Sequence, residues 1–301
     1  MRIPRLFRHI GHSLLLVLAI ATSARAAGDF TRYAAGLQFP EGTVFAGDEL
    51  YFVDYGASSV LRLAGGQAVL AWSIPGCGAN GLLPFADAML VACYDGGAFE
   101  LRGMDGSLRK VIDRDSDGQP LDRPNDLAAD GHGGAYVTAS GGDGTPGRLY
   151  HLDATLDHVV RVADGIRNAN GVALSPDGSV LYLGESATDT VWRYDVAPDG
   201  TLSGKREFLR LDERLSGSGR HTPDGLRTDA AGRLFVSLYN GDGFAVFAPD
   251  GALLATRSVP GSHHSNLAIS PDGKWVYGTI DDAVGALYRV PNPVARQAGH
   301  S

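Results

Sequence analysis

The chain has 301 residues, with 34 acidic side chains against 26 basic ones and a formal charge of −8. Residues 1–26 hold four of the basic groups and none of the acidic ones, so the remainder carries −12. A surface of that sign repels nucleic acid and anionic membranes, and with no basic stripe to override it both are excluded as partners.

The chain opens "MRIPRLFRHIGHSLLLVLAIATSARAAGDF". Arg2, Arg5 and Arg8 form a basic start, Leu14 to Ala21 an apolar run too short to span a bilayer, and Ala24-Arg25-Ala26 an A-x-A cleavage site. Residues 1–26 therefore read as a secretory signal peptide, which predicts a periplasmic or secreted protein with no membrane attachment after cleavage. An uncleaved anchor is the alternative. Residues 27–301 contain no Pro/Ser linker, and 41 glycines with low charge suggest one domain of short elements and tight turns.

Past the signal there is no helical periodicity. Short β-rich runs follow one another in chain order: "LYFVDY", "MLVACY", "GAYVTAS", "VLYLGES", "RLFVSLY" and "WVYGTI". Each is preceded by a polar residue, a short apolar strand and an acidic or glycine turn. Aligning these units places Glu41, Asn80, Asn125, Asn170, Asp224 and Asn266 in one column, at spacings of 39, 45, 45, 54 and 42 residues. A period of that length with about four strands per repeat predicts an all-β, six-bladed β-propeller of four-stranded antiparallel blades. The last repeat has only three strands, and "FTRYAAGL" (30–37) has no hairpin partner. That segment is expected to complete the last blade and close the ring, removing two sheet edges. The column would then gather at one mouth of the central channel.

Cys77 and Cys93 flank one expected hairpin, 81–85 with 88–94. In that register Cys93 lies opposite residue 80. A disulfide is compatible with this spacing and would stabilise by about 3 kcal/mol; two buried free thiols are the alternative.

The column's two carboxylates would neutralise a divalent cation, and its amide oxygens would complete a hard-oxygen shell. Ca²⁺ suits such ligands best, with Zn²⁺, Mn²⁺ and Mg²⁺ also possible. Asn-Gly and Asp-Gly are also ordinary turn dipeptides. Glu41-Gly42 is not, and it favours the metal. Asp224 belongs to one of five Pro-Asp-Gly triplets, the others being at 176–178, 198–200, 249–251 and 271–273. Arg123 and Asn125 stand two apart in an expected extended segment and so would face the same way, toward the mouth. "DRDSDG" (113–118) starts like an EF-hand loop, but position twelve is Pro124, so it reads as a turn. His221 lies just before a column position and is a minor candidate for assisting a base.

"PEGTVFAGDELYFVDYGASSVLRL", "RPND", "NANGVALSPDGSVLYLGES" and "TPDGLRTDAAGRLFVSLYNG", in that order, resemble the senescence marker protein, gluconolactonase and luciferin-regenerating-enzyme family. The likeness covers nearly all of the chain past the signal, and "LFVSLYNGDGFAVFAPDGALL" resembles its drug-responsive lactonase branch. The resemblance implies a six-bladed propeller with a channel-mouth metal on Glu41, Asn170 and Asp224, substrate contacts from Arg123 and Asn125, and lactonase activity. Glu185-Ser186 stands where many relatives carry Asp-Thr, and "HHSNLAI" fits the family least well. These departures leave the substrate more open than the metal.

The expected function is metal-dependent opening of a sugar lactone or related cyclic ester by activated water, in a monomer. Asp224 is the base and Arg123 joins it as a catalytic residue. A non-catalytic ligand-binding propeller and an aryl-ester or phosphotriester hydrolase on the same metal are the alternatives.

Overall fold

The computed structural model describes residues 30–142, 144–216 and 220–295; the expected signal peptide lies outside them. Its strands form six four-stranded antiparallel sheets. Blade one runs from Pro40–Ala46 to Gln67–Ser73, and blade two from Ala79–Phe85 to Leu108–Ile112. Blade three runs from Pro124–Ala129 to Val159–Ile166, blade four from Ala169–Leu174 to Leu202–Arg210, and blade five from Pro223–Thr228 to Leu253–Ser258. The sixth holds His264–Ile269, Trp275–Ile280 and Gly285–Pro291, with Thr31–Leu37 as its outer strand. The first strand of each blade touches the first strand of its neighbours around a central channel. The six-bladed architecture expected from the repeat is thus observed.

Burial explains which runs became which strands. Second strands are buried over most of their length, and Ala88–Cys93 over all of it, so they read as mainly apolar runs. Outer strands are the most exposed of each blade, and Leu253–Ser258 is half-exposed or exposed throughout. The core lies in the seams between blades: Tyr51, Val53 and Trp72 of the first pack against Leu82, Met89 and Val91 of the second. Among the described residues no helix is long and apolar enough to cross a membrane.

The N-terminal segment closes the ring as the unpaired "FTRYAAGL" suggested. Thr31 pairs with Arg289, and Leu37 with Gly285. Tyr33 stacks on Tyr277 at 6.0 Å, and Phe30 stacks on Tyr288 at 6.1 Å.

Cys77 and Cys93 are bridged, with Sγ atoms 2.09 Å and Cα atoms 4.5 Å apart. The register differs by one from that expected, since Cys93 faces Ala79 rather than residue 80. A β-bulge is the cause: Ala79 and Leu82 are three apart, yet their partners Cys93 and Val91 are only two apart.

Candidate functional site

The same bulge recurs at the start of every inner strand. Pro124 pairs with Ala139 and Leu127 with Val137, Ala169 with Glu185 and Val172 with Leu183, Pro223 with Leu238 and Leu226 with Val236. One extra residue on the inner strand bends it and re-aims the side chain at the bulge. The residues so re-aimed are Asn80, Asn125, Asn170 and Asp224, each second in its strand, with Glu41 in the same place in blade one. In the sixth blade the second residue is Ser265. The sequence alignment put Asn266 in the column, and the register corrects it by one. Asn266 instead shares a position with Gly42, Gly81, Asp126, Gly171 and Gly225.

That second ring is where neighbouring inner strands approach most closely. A Cβ on Gly42 would collide with the Asn80 carbonyl, on Gly81 with that of Asn125, and on Gly171 with that of Asp224. Gly81 and Gly171 are required by this approach and not by a turn conformation, while Gly42 is also left-handed, with φ 58°. Where the ring is not glycine it carries Asp126 and Asn266, and both point to one further residue that the sequence reading missed. Arg227 donates to Asp126 Oδ2 at 3.0 Å, to Asn266 Oδ1 at 3.2 Å and to the Thr43 carbonyl at 3.3 Å, plugging the channel. Its signal was present: at the aligned position the other inner strands carry Val44, Leu83, Ala128, Ala173 and Ala268, all apolar.

Above the plug lies a cavity of about 600 Å³ whose lining includes Glu41, Asn80, Asn125, Asn170 and Asp224. Its wall includes Tyr55, Tyr94, Ser140, Ser186 and Tyr239. Each wall residue follows the second strand's partner of the residue before the column, so they form a second column one step outward. They stand at or near the ends of the β-rich runs read from the sequence, which recorded them as strand ends only. In the sixth blade this place belongs to Asp281, which accepts the Tyr239 hydroxyl at 3.3 Å.

Serine hydroxyls fix the column from behind. Ser265 donates to the Pro40 carbonyl at 2.7 Å, and Ser140 to that of Ala169 and Ser186 to that of Pro223, both at 2.8 Å. Each bond crosses a blade seam and tethers the peptide just before Glu41, Asn170 or Asp224. Those three are the residues to which the sequence resemblance assigned a metal.

Glu41 is 2 % exposed and Asp224 6 %. The Gly42 N–H (2.9 Å) and Asn266 Nδ2 (3.0 Å) both bond the same Glu41 oxygen, Oε2. Burial, with the charge of Asp126 nearby, pushes Glu41 up to about 8. Burial and the neighbouring Glu41 and Asp126 charges push Asp224 well above the ordinary carboxylate range, against a hydrogen bond from Asn170. Arg227 is paired with Asp126, so it leaves the other two carboxylates without a cation of their own. Among the described residues no three His, Cys, Asp or Glu are arranged to hold a metal. A cation here would draw two carboxylate oxygens and the amide oxygens of Asn170, Asn80 or Asn125, a donor set that suits a hard divalent ion.

The remaining predicted residues fall outside this group. Arg123 is not extended but left-handed, with φ 57°, and it turns into an adjoining hollow over the Tyr94 ring. His221 lines a different hollow and lies 3.2 Å from Asp212. Glu185 accepts from Trp192 Nε1 at 2.8 Å and stays out of the cavity, while Ser186 lines it. The 113–118 segment is a turn, with Asp115 Oδ1 accepting the Asp117 and Gln119 N–H groups.

The chain is similar to the L-arabinolactonase of Azospirillum brasilense, 29 % identical over 252 residues, which cover 78 % of this chain and 79 % of that one. It is also similar to the gluconolactonase of Zymomonas mobilis, 29 % identical over 251 residues, covering 74 % and 67 %. Among solved structures, the calcium-binding regucalcin of Agrobacterium tumefaciens superposes with a TM-score of 0.73 at 20 % identity, covering 88 % of this chain and 93 % of that one. The family model described as SMP-30/Gluconolactonase/LRE-like region matches residues 39–288, and the chain belongs to that family.

Proposed function

We propose that the protein is a lactonase that hydrolyses sugar lactones at this channel mouth, with a divalent cation, Ca²⁺ foremost, held by Glu41, Asn170 and Asp224. The observation that carries the reading is the pair of buried carboxylates, Glu41 and Asp224, neither of which has an ion-pair partner among the described residues. Relatives named for lactone hydrolysis support the reaction class, and a calcium-binding protein of the same fold supports the ion.

When bound, the cation supplies Lewis acidity to the lactone carbonyl and raises the acidity of water beside it. Asp224, which lines the cavity and accepts a hydrogen bond from Asn170, takes a proton from the attacking water. As the ring C–O bond breaks, Asp224 returns the proton to the leaving alkoxide, and the open hydroxy acid results. Asn125 and Asn80 orient ring hydroxyls from the cavity wall, and Tyr55, Tyr94 and Tyr239 give an apolar face for the ring. Arg123 acts from the adjoining hollow on the substrate's outer oxygens. After removal of residues 1–26 the protein works as a monomer in the periplasm or outside the cell.

A panel of aldono- and aliphatic lactones, assayed with chelator and then with Ca²⁺, Zn²⁺ or Mn²⁺ restored, tests the reading. Chelation should abolish turnover and one of the ions should restore it. Asp224→Asn should lower kcat by ~10²–10⁴-fold, the range for loss of a positioned base. Turnover that survives both treatments would sink the mechanism.

A further inference from the structure

Arg227 stands in the channel at a position where the other inner strands are apolar, and its hydrogen bonds lead into the reaction cavity. The guanidinium is anchored on several blades at once. Nη1 donates to Asp126 Oδ2 at 3.0 Å and to the Leu226 carbonyl at 2.6 Å, and Nη2 to the Thr43 carbonyl at 3.3 Å. Asp126 is held in turn by the N–H groups of Leu127 (2.9 Å) and, from blade four, Val172 (3.3 Å). Nη2 also donates to Asn266 Oδ1 at 3.2 Å. Arg227 itself lines a different hollow, of about 320 Å³, so whatever it does for the site it does through its neighbours.

The side-chain amide of Asn266 has two ends with opposite duties. Its Oδ1 also accepts the Thr43 hydroxyl at 3.1 Å and the Leu267 N–H at 2.9 Å, and its Nδ2 donates to Glu41 Oε2 at 3.0 Å. Turned end for end, the amide would set its NH₂ against donors and its oxygen against the Glu41 carboxylate. Of the three groups on Oδ1, the Leu267 N–H travels with Asn266, and the Thr43 hydroxyl can accept as readily as donate. The guanidinium only donates, and it is fixed on other strands. We propose that Arg227 is a positioning residue: it holds the Asn266 amide in the sense that keeps Nδ2 on Glu41, and so fixes the Glu41 carboxylate at the cavity floor. The inference takes the cation at Glu41 from the lactonase reading, but the relay from Arg227 through Asn266 to Glu41 rests on the hydrogen bonds themselves.

The test uses the double variant Asp126→Asn/Arg227→Met, which removes one charge of each sign and leaves the total beside Glu41 unchanged. Replacing both members of a buried pair by neutral groups costs little stability, whereas removing one member costs much more. Ca²⁺ affinity, measured by calorimetry, should fall ~10–100-fold, the range for loss of a group that orients a metal ligand from behind. A second readout needs no metal. In protein labelled with ¹⁵N-asparagine, the Asn266 side-chain amide is identified by its disappearance in Asn266→Ala. It should exchange slowly with water in the wild type and fast in the double variant. Arg227→Lys keeps the charge but has one ammonium head where the guanidinium offers two nitrogens. It should hold the wild-type Tm in chelator yet lose several-fold in Ca²⁺ affinity. A Ca²⁺ affinity or an Asn266 exchange rate that the double variant leaves unchanged overturns the inference. Wild-type values of both in Arg227→Lys overturn it equally, should the double variant not fold. If the wild type binds no Ca²⁺, the cation reading falls alone and the Asn266 exchange decides the relay.

Discussion

Five Pro-Asp-Gly triplets carry two different pieces of chemistry. Asp177, Asp199, Asp250 and Asp272 are exposed, and each accepts the N–H of the residue two positions on, at 3.0 to 3.1 Å. Their glycines are left-handed, with φ from 69° to 86°. Hydrogen bonds from Ser175 and Ser179 hold Asp177 down at about 2, whereas burial pushes Asp224 up. Gly225 is not left-handed, and a Cβ there would stand 2.8 Å from Asn266 Cγ. Gly225→Ala should therefore cost more than Gly273→Ala, which meets nothing within 4 Å and pays only the left-handed strain of ~1–2 kcal/mol. Gly225→Ala should also weaken cation binding, because Asn266 holds Glu41. Equal shifts in Tm for the two variants would refute this. The place of Asp224 in the column was legible in the sequence because it kept step with Glu41 and Asn170. The blade-six member was misread because Ser265 and Asn266 are both polar, and only strand register distinguishes neighbours. Arg227 was passed over because the alignment followed one column and did not ask what lay beneath it.

Among elements, the repeat was readable because each blade has its own largely buried second strand, and such strands are mainly apolar, β-branched or aromatic runs. Bulges were not readable: they change pairing by one residue without changing composition, which is why the Cys93 partner came out one place off. Ring closure was readable from a deficit, three strands in one repeat and one strand left over. That closure brings together residues some 250 positions apart, Thr31 with Arg289 and Tyr33 with Tyr277. Without the N-terminal strand, Gly285–Pro291 becomes an open edge, and Leu50, Phe52 and Leu287, which pack in one cluster with Tyr33, Ala34 and Leu37, lose that cover. A protein beginning at residue 38 should then melt many degrees lower, or aggregate on expression. The same start with a peptide of sequence 30–37 added in excess should recover part of the loss. An unchanged melting temperature would mean that closure contributes nothing to stability.

At the scale of the whole molecule, the site makes stability depend on pH in the sense opposite to most carboxylates. Glu41 is raised to about 8 by burial and the neighbouring Asp126 charge, and Asp224 is raised as well, by burial and the Glu41 and Asp126 charges. A carboxyl raised in the folded state favours folding while protonated. Its contribution is complete below the unfolded value and is lost as pH rises through the folded one. For Glu41 that window runs from 4.5 to about 8. His264 pulls the other way, since burial lowers it from 6.5, so its contribution grows with pH and is complete by about 7. Above pH 7 the slope therefore comes from groups raised in the folded state, Glu41 among them. In chelator, Tm should fall from pH 7 to 9. If the proposed cation site is right, Ca²⁺ should reverse the trend, raising Tm more at pH 9 than at pH 6, because a cation would be held by the ionised pair and binding to the folded state stabilises it. Glu41→Gln should flatten the chelated profile and reduce the Ca²⁺ increment together. A Tm that is level in chelator, or a Ca²⁺ increment equal at both ends, would show that this pair of carboxylates neither strains the empty site nor takes up the ion.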